Sequence, residues 1–233
     1  MALPLNLAMT PAELSSDSEI PQKIAWMACH FSPYSEGLTN LPAALPPGAM
    51  LILNDRMPCQ GHSPDLVLQQ LSDTVKHLEC ESILLDFQRP PEPESRAIIK
   101  ALVGGLPCPA AVFESYATEL DCPVFLPPCP LHRALREYLT PWAEREIWLE
   151  AALCQEEVIV TREGVTCVPR FPPERLEGGF EEETLCCRYR TQIAESEVRF
   201  TLFDTRESLE KKLELAGTLG VSRAVGLYQE LYP

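Results

Sequence analysis

Glu81-Ser82-Ile83-Leu84-Leu85-Asp86-Phe87-Gln88-Arg89-Pro90 opens with a short apolar run, Ile83 to Leu85. The run stops abruptly at Asp86, Gln88 and Arg89, and then at a Pro-Pro pair that cannot continue a central strand. A buried parallel strand that ends in a mouth reads this way. In a barrel of alternating strands and helices, side chains at the carboxyl ends of strands face the site. Residues two apart share a face, so Asp86 and Gln88 point together into the barrel. Taken alone, Asp86 also reads as no more than the cap of a loop.

Working outward, the same pattern repeats. Lys23 to Phe31 is a nearly continuous apolar run ending at His30, and Met50 to Asn54 ends at Asn54, Asp55 and Arg56. Ser63-Pro64-Asp65 then reads as a helix N-cap with proline in the first turn, followed by Leu66, Leu68, Leu71, Val75 and Leu78 at near-helical spacing. With the run from Ile83 to Leu85, ending at Asp86, counted third, Ala110 to Phe113 ends at Glu114 as a fourth strand, and Cys122 to Leu126, closed by Pro127-Pro128, is a fifth. Glu146 to Leu153 reads as a sixth strand ending near Glu150, although its Glu, Leu and Ala content also suits a helix. Val158–Thr161 and Val165–Val168 flank a Gly-bearing turn and read as a hairpin outside the barrel. Phe180 to Ala194 reads as an acidic helix. Val198 to Phe203, ending at Asp204, is a seventh strand, its helix stopped by Gly220, and Ala224 to Leu227, ending at Tyr228, is an eighth.

Eight strands alternating with helical or abbreviated crossovers point to a closed (β/α)8 TIM-type barrel over residues 23–233, with residues 1–22 as an N-terminal lead-in. An open doubly wound sheet is the alternative, but no glycine-rich nucleotide loop supports a nucleotide-binding version of it. A net charge of −15 argues against a nucleic-acid partner, since phosphate-backbone binding draws on Lys and Arg. No stretch is long enough to span a membrane, and Met1 to Glu19 has no basic region of the secretory type. Ten cysteines in 233 residues, several inside apolar runs, suit reduced thiols in a cytoplasmic protein better than a disulfide framework. No cysteine or histidine spacing suggests a metal site, and no cofactor is expected.

If the barrel forms, His30, Asp55, Asp86, Gln88, Glu114, Glu150, Asp204 and Tyr228 converge on one rim, with Arg89 and Tyr116 beside them. Asp86, Glu114 and Glu150 are the candidate catalytic carboxylates. The others are candidate ligand contacts.

The central stretch also resembles the signature Asp-Gly-Ile-Asp-Leu-Asp-Trp-Glu of family 18 glycoside hydrolases, the chitinase-like barrels. Asp86 matches its last aspartate and Phe87 its aromatic neighbour, whereas Leu84 replaces the middle aspartate and Gln88 stands at the catalytic acid. A second, late resemblance covers Phe203-Asp204-Thr205-Arg206-Glu207-Ser208-Leu209-Glu210-Lys211-Lys212-Leu213. The resemblance implies a mechanism in which a protonated Glu donates to the leaving oxygen while the substrate's acetamido oxygen attacks. Glutamine donates a hydrogen bond but cannot transfer a proton, a step worth about 10²–10⁴-fold in rate. The expectation is therefore a chitinase-like pseudoenzyme that binds a carbohydrate or related small molecule. Two alternatives stand beside it: a glycoside hydrolase using Glu114, Glu150 and Asp86, and a non-catalytic scaffold using the hairpin and the acidic Glu174–Glu183 loop. Oligomeric state is not legible.

Overall fold

A computed structural model describes residues 3–16, 23–170, 178–182, 184–194 and 197–232. Along the chain run β1 (Leu5–Met9), α1 (Pro11–Ser16), β2 (Ile24–Phe31), β3 (Leu38–Thr39), β4 (Met50–Asn54), α2 (Pro64–His77), β5 (Ser82–Asp86), α3 (Pro93–Gly105), β6 (Ala110–Phe113), α4 (Glu114–Ala117), β7 (Val124–Leu126), α5 (Leu135–Leu139) and β8 (Ile147–Glu150). After these come β9 (Gln155–Thr161), β10 (Val165–Pro169), β11 (Gly179–Glu181), β12 (Cys186–Ala194), β13 (Glu197–Phe203), α6 (Arg206–Thr218), β14 (Val221–Leu227) and α7 (Tyr228–Leu231). Eight parallel strands, in the order β1-β14-β8-β7-β6-β5-β4-β2, close into a barrel through a β1–β2 pairing, and helices surround it. The fold is a (β/α)8 TIM barrel.

One barrel strand is not expected from the sequence, and one expected barrel strand lies elsewhere. Leu5–Met9, read as lead-in, is the first strand and pairs on both sides, Leu5 with Ala224 and Leu7 with Ile24. Its alternation is masked by Asn6, a polar residue with 0 % exposure whose Nδ2 donates to the Ala224 carbonyl at 3.4 Å. Ser82–Asp86 is thus fourth around the barrel rather than third. Conversely, Val198–Phe203 is no barrel strand. It pairs antiparallel with β9 and β12 in a five-stranded sheet, β10-β9-β13-β12-β11, inserted between β8 and α6.

That sheet contains the expected hairpin, with Val165 opposite Val160. It also overturns the acidic helix at 180–194, which is two strands, β11 and β12. Tyr189, Thr191 and Ile193 recur at every second position of β12, a period that suits a strand and not a helix. Half of the Glu174–Glu183 stretch, residues 174–177 and 183, lies outside the described residues.

Alternate residues of each barrel strand serve two cores. Leu51, Leu53, Ile83, Leu85, Val112, Val124, Leu126 and Leu149 face outward into one apolar cluster with Val67, Leu71 and Val75 of α2 and Ile98, Ile99 and Leu102 of α3. Each such fully buried aliphatic contributes roughly 1.5–3 kcal/mol. The helices begin where their caps allow: Ser63 accepts from the Leu66 N–H, and Glu92 with Ser95 and Thr205 with Ser208 form reciprocal capping boxes. The intervening residues, Ala8, Ala25, Met50, Ile52, Leu84, Ala111, Phe125, Trp148 and Val225, fill the barrel interior. Its foot is closed by Arg223, which lies over the Trp148 ring at 4.9 Å and donates to Glu81 at 2.7 Å and Ser82 at 3.1 Å. Access is therefore from the carboxyl ends of the strands.

Candidate functional site

One residue pair beyond the interior layer, the strands deliver a second layer to the mouth. Asn54 follows Ile52, Asp86 follows Leu84, Glu150 follows Trp148 and Leu227 follows Val225, each two positions on and hence on the inward face. These residues, with Met27, Asp55, Arg56, Gln88 and Gly226, surround a cavity of about 330 Å³ whose floor is Ala8, Ile52, Leu84, Phe125 and Val225. The volume lies at the small end of the range for ligand sites, about 300–1,000 Å³. Gly226 is there for a steric reason: a Cβ at this position would stand 2.7 Å from the Ala151 carbonyl oxygen and 2.6 Å from Leu231 Cδ1.

Asp55, 8 % exposed, braces the loop that follows β5. Its two carboxylate oxygens accept from the backbone N–H groups of Gln88 at 3.2 Å and Arg89 at 2.9 Å. With the backbone so held, the Gln88 side chain donates to Asp86 Oδ1 at 3.0 Å. Asn54 ties the neighbouring strands together, donating to the Met27 carbonyl at 3.1 Å and accepting from Arg56 N–H at 3.2 Å.

Glu150 differs from the other acids. Among the described residues no hydrogen-bond donor reaches its carboxylate. Burial, then the charges of Asp86 and Glu230, push its carboxyl up from 4.5 to about 7. Asp86 is also raised, by burial first and by Asp55 in part, against the lowering effect of the Gln88 hydrogen bond. The negative charge of Asp86 is thus among the causes that hold a proton on Glu150.

Of the residues singled out in the sequence, Asp55, Asp86, Gln88 and Glu150 line this cavity, and the others stand elsewhere. His30 has both ring nitrogens engaged, Nδ1 with the Phe31 carbonyl at 2.8 Å and Nε2 with Asn40 at 3.1 Å. Glu114, half-buried, begins α4 away from the cavity lining. Arg89 turns outward and donates to the Arg56 carbonyl at 2.8 Å. Tyr116 is core, 2 % exposed, bonded to Ser95 at 3.0 Å and packed edge-on against the fully buried Phe87.

Asp204 does not reach the rim because its strand belongs to the inserted sheet. It forms an ion pair with Lys212 at 2.6 Å, with its side chain 2 % exposed, and accepts from Ser208. Tyr228 stacks on Tyr232 with ring centroids 5.6 Å apart. Sequence reasoning passed over Asn54 and Arg56, which share a strand end with Asp55, and Met27 and Phe125, whose apolar character gave no signal.

Comparison with known proteins bears on the fold. No family model matches the chain, and no curated protein sequence does. Solved structures do match. The chitinase-like agglutinin RobpsCRA from Robinia pseudoacacia aligns at a TM-score of 0.56 and 11% identity, over 98% of this chain and 95% of that one. The spore cortex-lytic enzyme SleL of Bacillus cereus aligns at 0.53 and 12% identity, over 96% and 70%. A family 18 N-acetylglucosaminidase from Paenibacillus barengoltzii aligns at 0.51 and 10% identity, over 98% and 97%. At such identities the likeness is one of fold: the chain is structurally similar to the chitinase-like TIM barrels of glycoside hydrolase family 18.

Proposed function

We propose that the protein binds a carbohydrate or related small molecule in the mouth of its barrel and lacks the proton-donating step of the family 18 hydrolases. The observation that carries this reading is the position of Gln88: it stands at the rim of the cavity, its amide given to Asp86, where the resemblance would place a glutamic acid. An apolar floor beneath a ring of carboxylates and amides suits a sugar, whose ring has an apolar face and a hydrogen-bonding edge. The agglutinin among the similar structures is consistent with binding on this scaffold.

The test pairs binding with turnover. Titration of the wild type with monosaccharides and disaccharides is expected to give saturable binding that weakens on Asp86→Asn. A chromogenic N-acetylglucosaminide is expected to remain intact. Turnover of that compound, lost on Gln88→Ala, would overturn the proposal.

One observation favours a second reading, a glycoside hydrolase with a different acid. A carboxyl at about 7 is in the range where a general acid works best near neutral pH, and Asp86 lines the same cavity as a second carboxyl group. Hydrolysis across a panel of glycosides, lost in a folded Glu150→Gln variant, would establish it. Glu114 has no part in this version, being outside the cavity lining.

A further inference from the structure

We propose that the ligand is an amino sugar whose nitrogen is unacylated and carries a positive charge, with the ammonium seated between Asp86 and Glu150. This rests on the carbohydrate reading above and narrows it. Donors and acceptors around the cavity are unevenly matched. The side-chain amides at the mouth each commit one of their two N–H donors, Asn54 to the Met27 carbonyl and Gln88 to Asp86. The one cation of the lining, Arg56, is exposed on the rim.

Acceptors, in contrast, are in surplus. Asp55 is satisfied by two backbone N–H groups, Asp86 receives one bond, and Glu150 receives none from the described residues. No ion pair among the described residues neutralises any of the three. The balance of the site therefore favours a ligand that donates, and donates to charge. The carbonyl oxygen of an acetamido group would find an apolar floor, with Leu84 at 2 % and Phe125 at 3 % exposure. An ammonium brings three donors and a charge opposite to that of the carboxylates. The apolar floor remains for the C–H face of the ring, and the cavity of about 330 Å³ suits one ring or two rather than a long chain.

An ammonium in this position also removes the two causes that hold a proton on Glu150, its lack of a partner and the nearby negative charge. Binding then releases that proton to solvent. A neutral sugar has no such effect.

Isothermal titration at pH 7 with glucosamine, N-acetylglucosamine and glucose, each in two buffers of different ionisation enthalpy, tests the proposal. Glucosamine is expected to bind roughly tenfold or more tightly than either neutral sugar, as for a hydrogen-bonded charge. Glu150 should release about half a proton per site, the fraction held by a group titrating at the ambient pH, which exceeds the uptake by the smaller unprotonated fraction of the free amine and leaves a net release. Glu150→Gln is expected to abolish the release and to remove the advantage of glucosamine over glucose. Equal affinity for the three sugars, or tightest binding of N-acetylglucosamine, overturns the amine proposal while the carbohydrate reading stands. Failure of all three to bind overturns both. Should Glu150→Gln fail to fold, the proton count on the wild type still decides.

Discussion

On the proposed reading Glu150 sets stability against function, and the conflict can be measured. In the unfolded chain its carboxyl titrates at the ordinary value of 4.5; in the folded protein it titrates at about 7. The folded state thus holds the proton more tightly, and the sign follows from linkage. Below pH 4.5 both states are protonated and the group costs nothing. Between 4.5 and about 7 the unfolded chain gives up its proton while the folded one retains it, so stability falls as pH rises, and above about 7 the loss is complete. The displacement corresponds to about 3 kcal/mol at 1.36 kcal/mol per pH unit, and water in the cavity reduces this to roughly 2–3 kcal/mol. Glutamine has nearly the same shape and cannot ionise. Glu150→Gln should therefore match the wild type near pH 4.5 and exceed it by roughly 2–3 kcal/mol at pH 8.5.

Urea unfolding of both proteins at a series of pH values is the assay. The difference between the two curves isolates Glu150, since Asp86 and every other group titrate in both proteins. A difference that stays constant within about 0.5 kcal/mol from pH 4.5 to 8.5, beyond the scatter of such fits, would refute the reasoning. It would mean that Glu150 is hydrated or paired in the folded state. The same variant is expected to lose ligand affinity, a gain in stability at the expense of a site.

Other expectations follow from contacts at the mouth and in the insert. Asp55→Ala removes the acceptor for two backbone N–H groups and should destabilise by roughly 2–3 kcal/mol, with faster amide exchange at Gln88 and Arg89. Lys212→Met leaves the Asp204 carboxylate buried without its cation and should lower stability by roughly 3–5 kcal/mol in urea, whereas the double change Lys212→Met with Asp204→Leu should recover most of that loss. Gly226→Ala forces a methyl against the Ala151 carbonyl and Leu231, so a cost of about 1–3 kcal/mol and a weakened ligand titration are expected together.

The parts of the fold that were legible in the sequence are those where one physical pattern acts alone. Met50–Asn54 and Ser82–Asp86 are buried on both faces, so their apolar runs are continuous and their ends abrupt. Asp55, Asp86, Gln88 and Glu150 followed from this, because residues beyond such an end must stand at the mouth. The misreadings have particular causes. Leu5–Met9 is hidden by the buried Asn6. Val198–Phe203 has an apolar run and a terminal Asp204 like those of the barrel strands, and nothing local distinguishes a parallel neighbour from the antiparallel β9. Glu114 and Tyr228 follow strands as expected, yet each begins a short helix, which turns the chain away from the cavity.

The β1–β14 pairing joins residues near opposite ends of the described chain, with Asn6 reaching across 218 positions to Ala224. Such a seam cannot form during synthesis until Val221–Leu227 has left the ribosome. Until then Leu5–Met9 has an open edge on that side, and the inward side chains of β8 wait for a neighbour. Folding is consequently delayed by this long-range pairing, which predicts slow maturation and an exposed strand edge for a nascent chain to guard against mispairing.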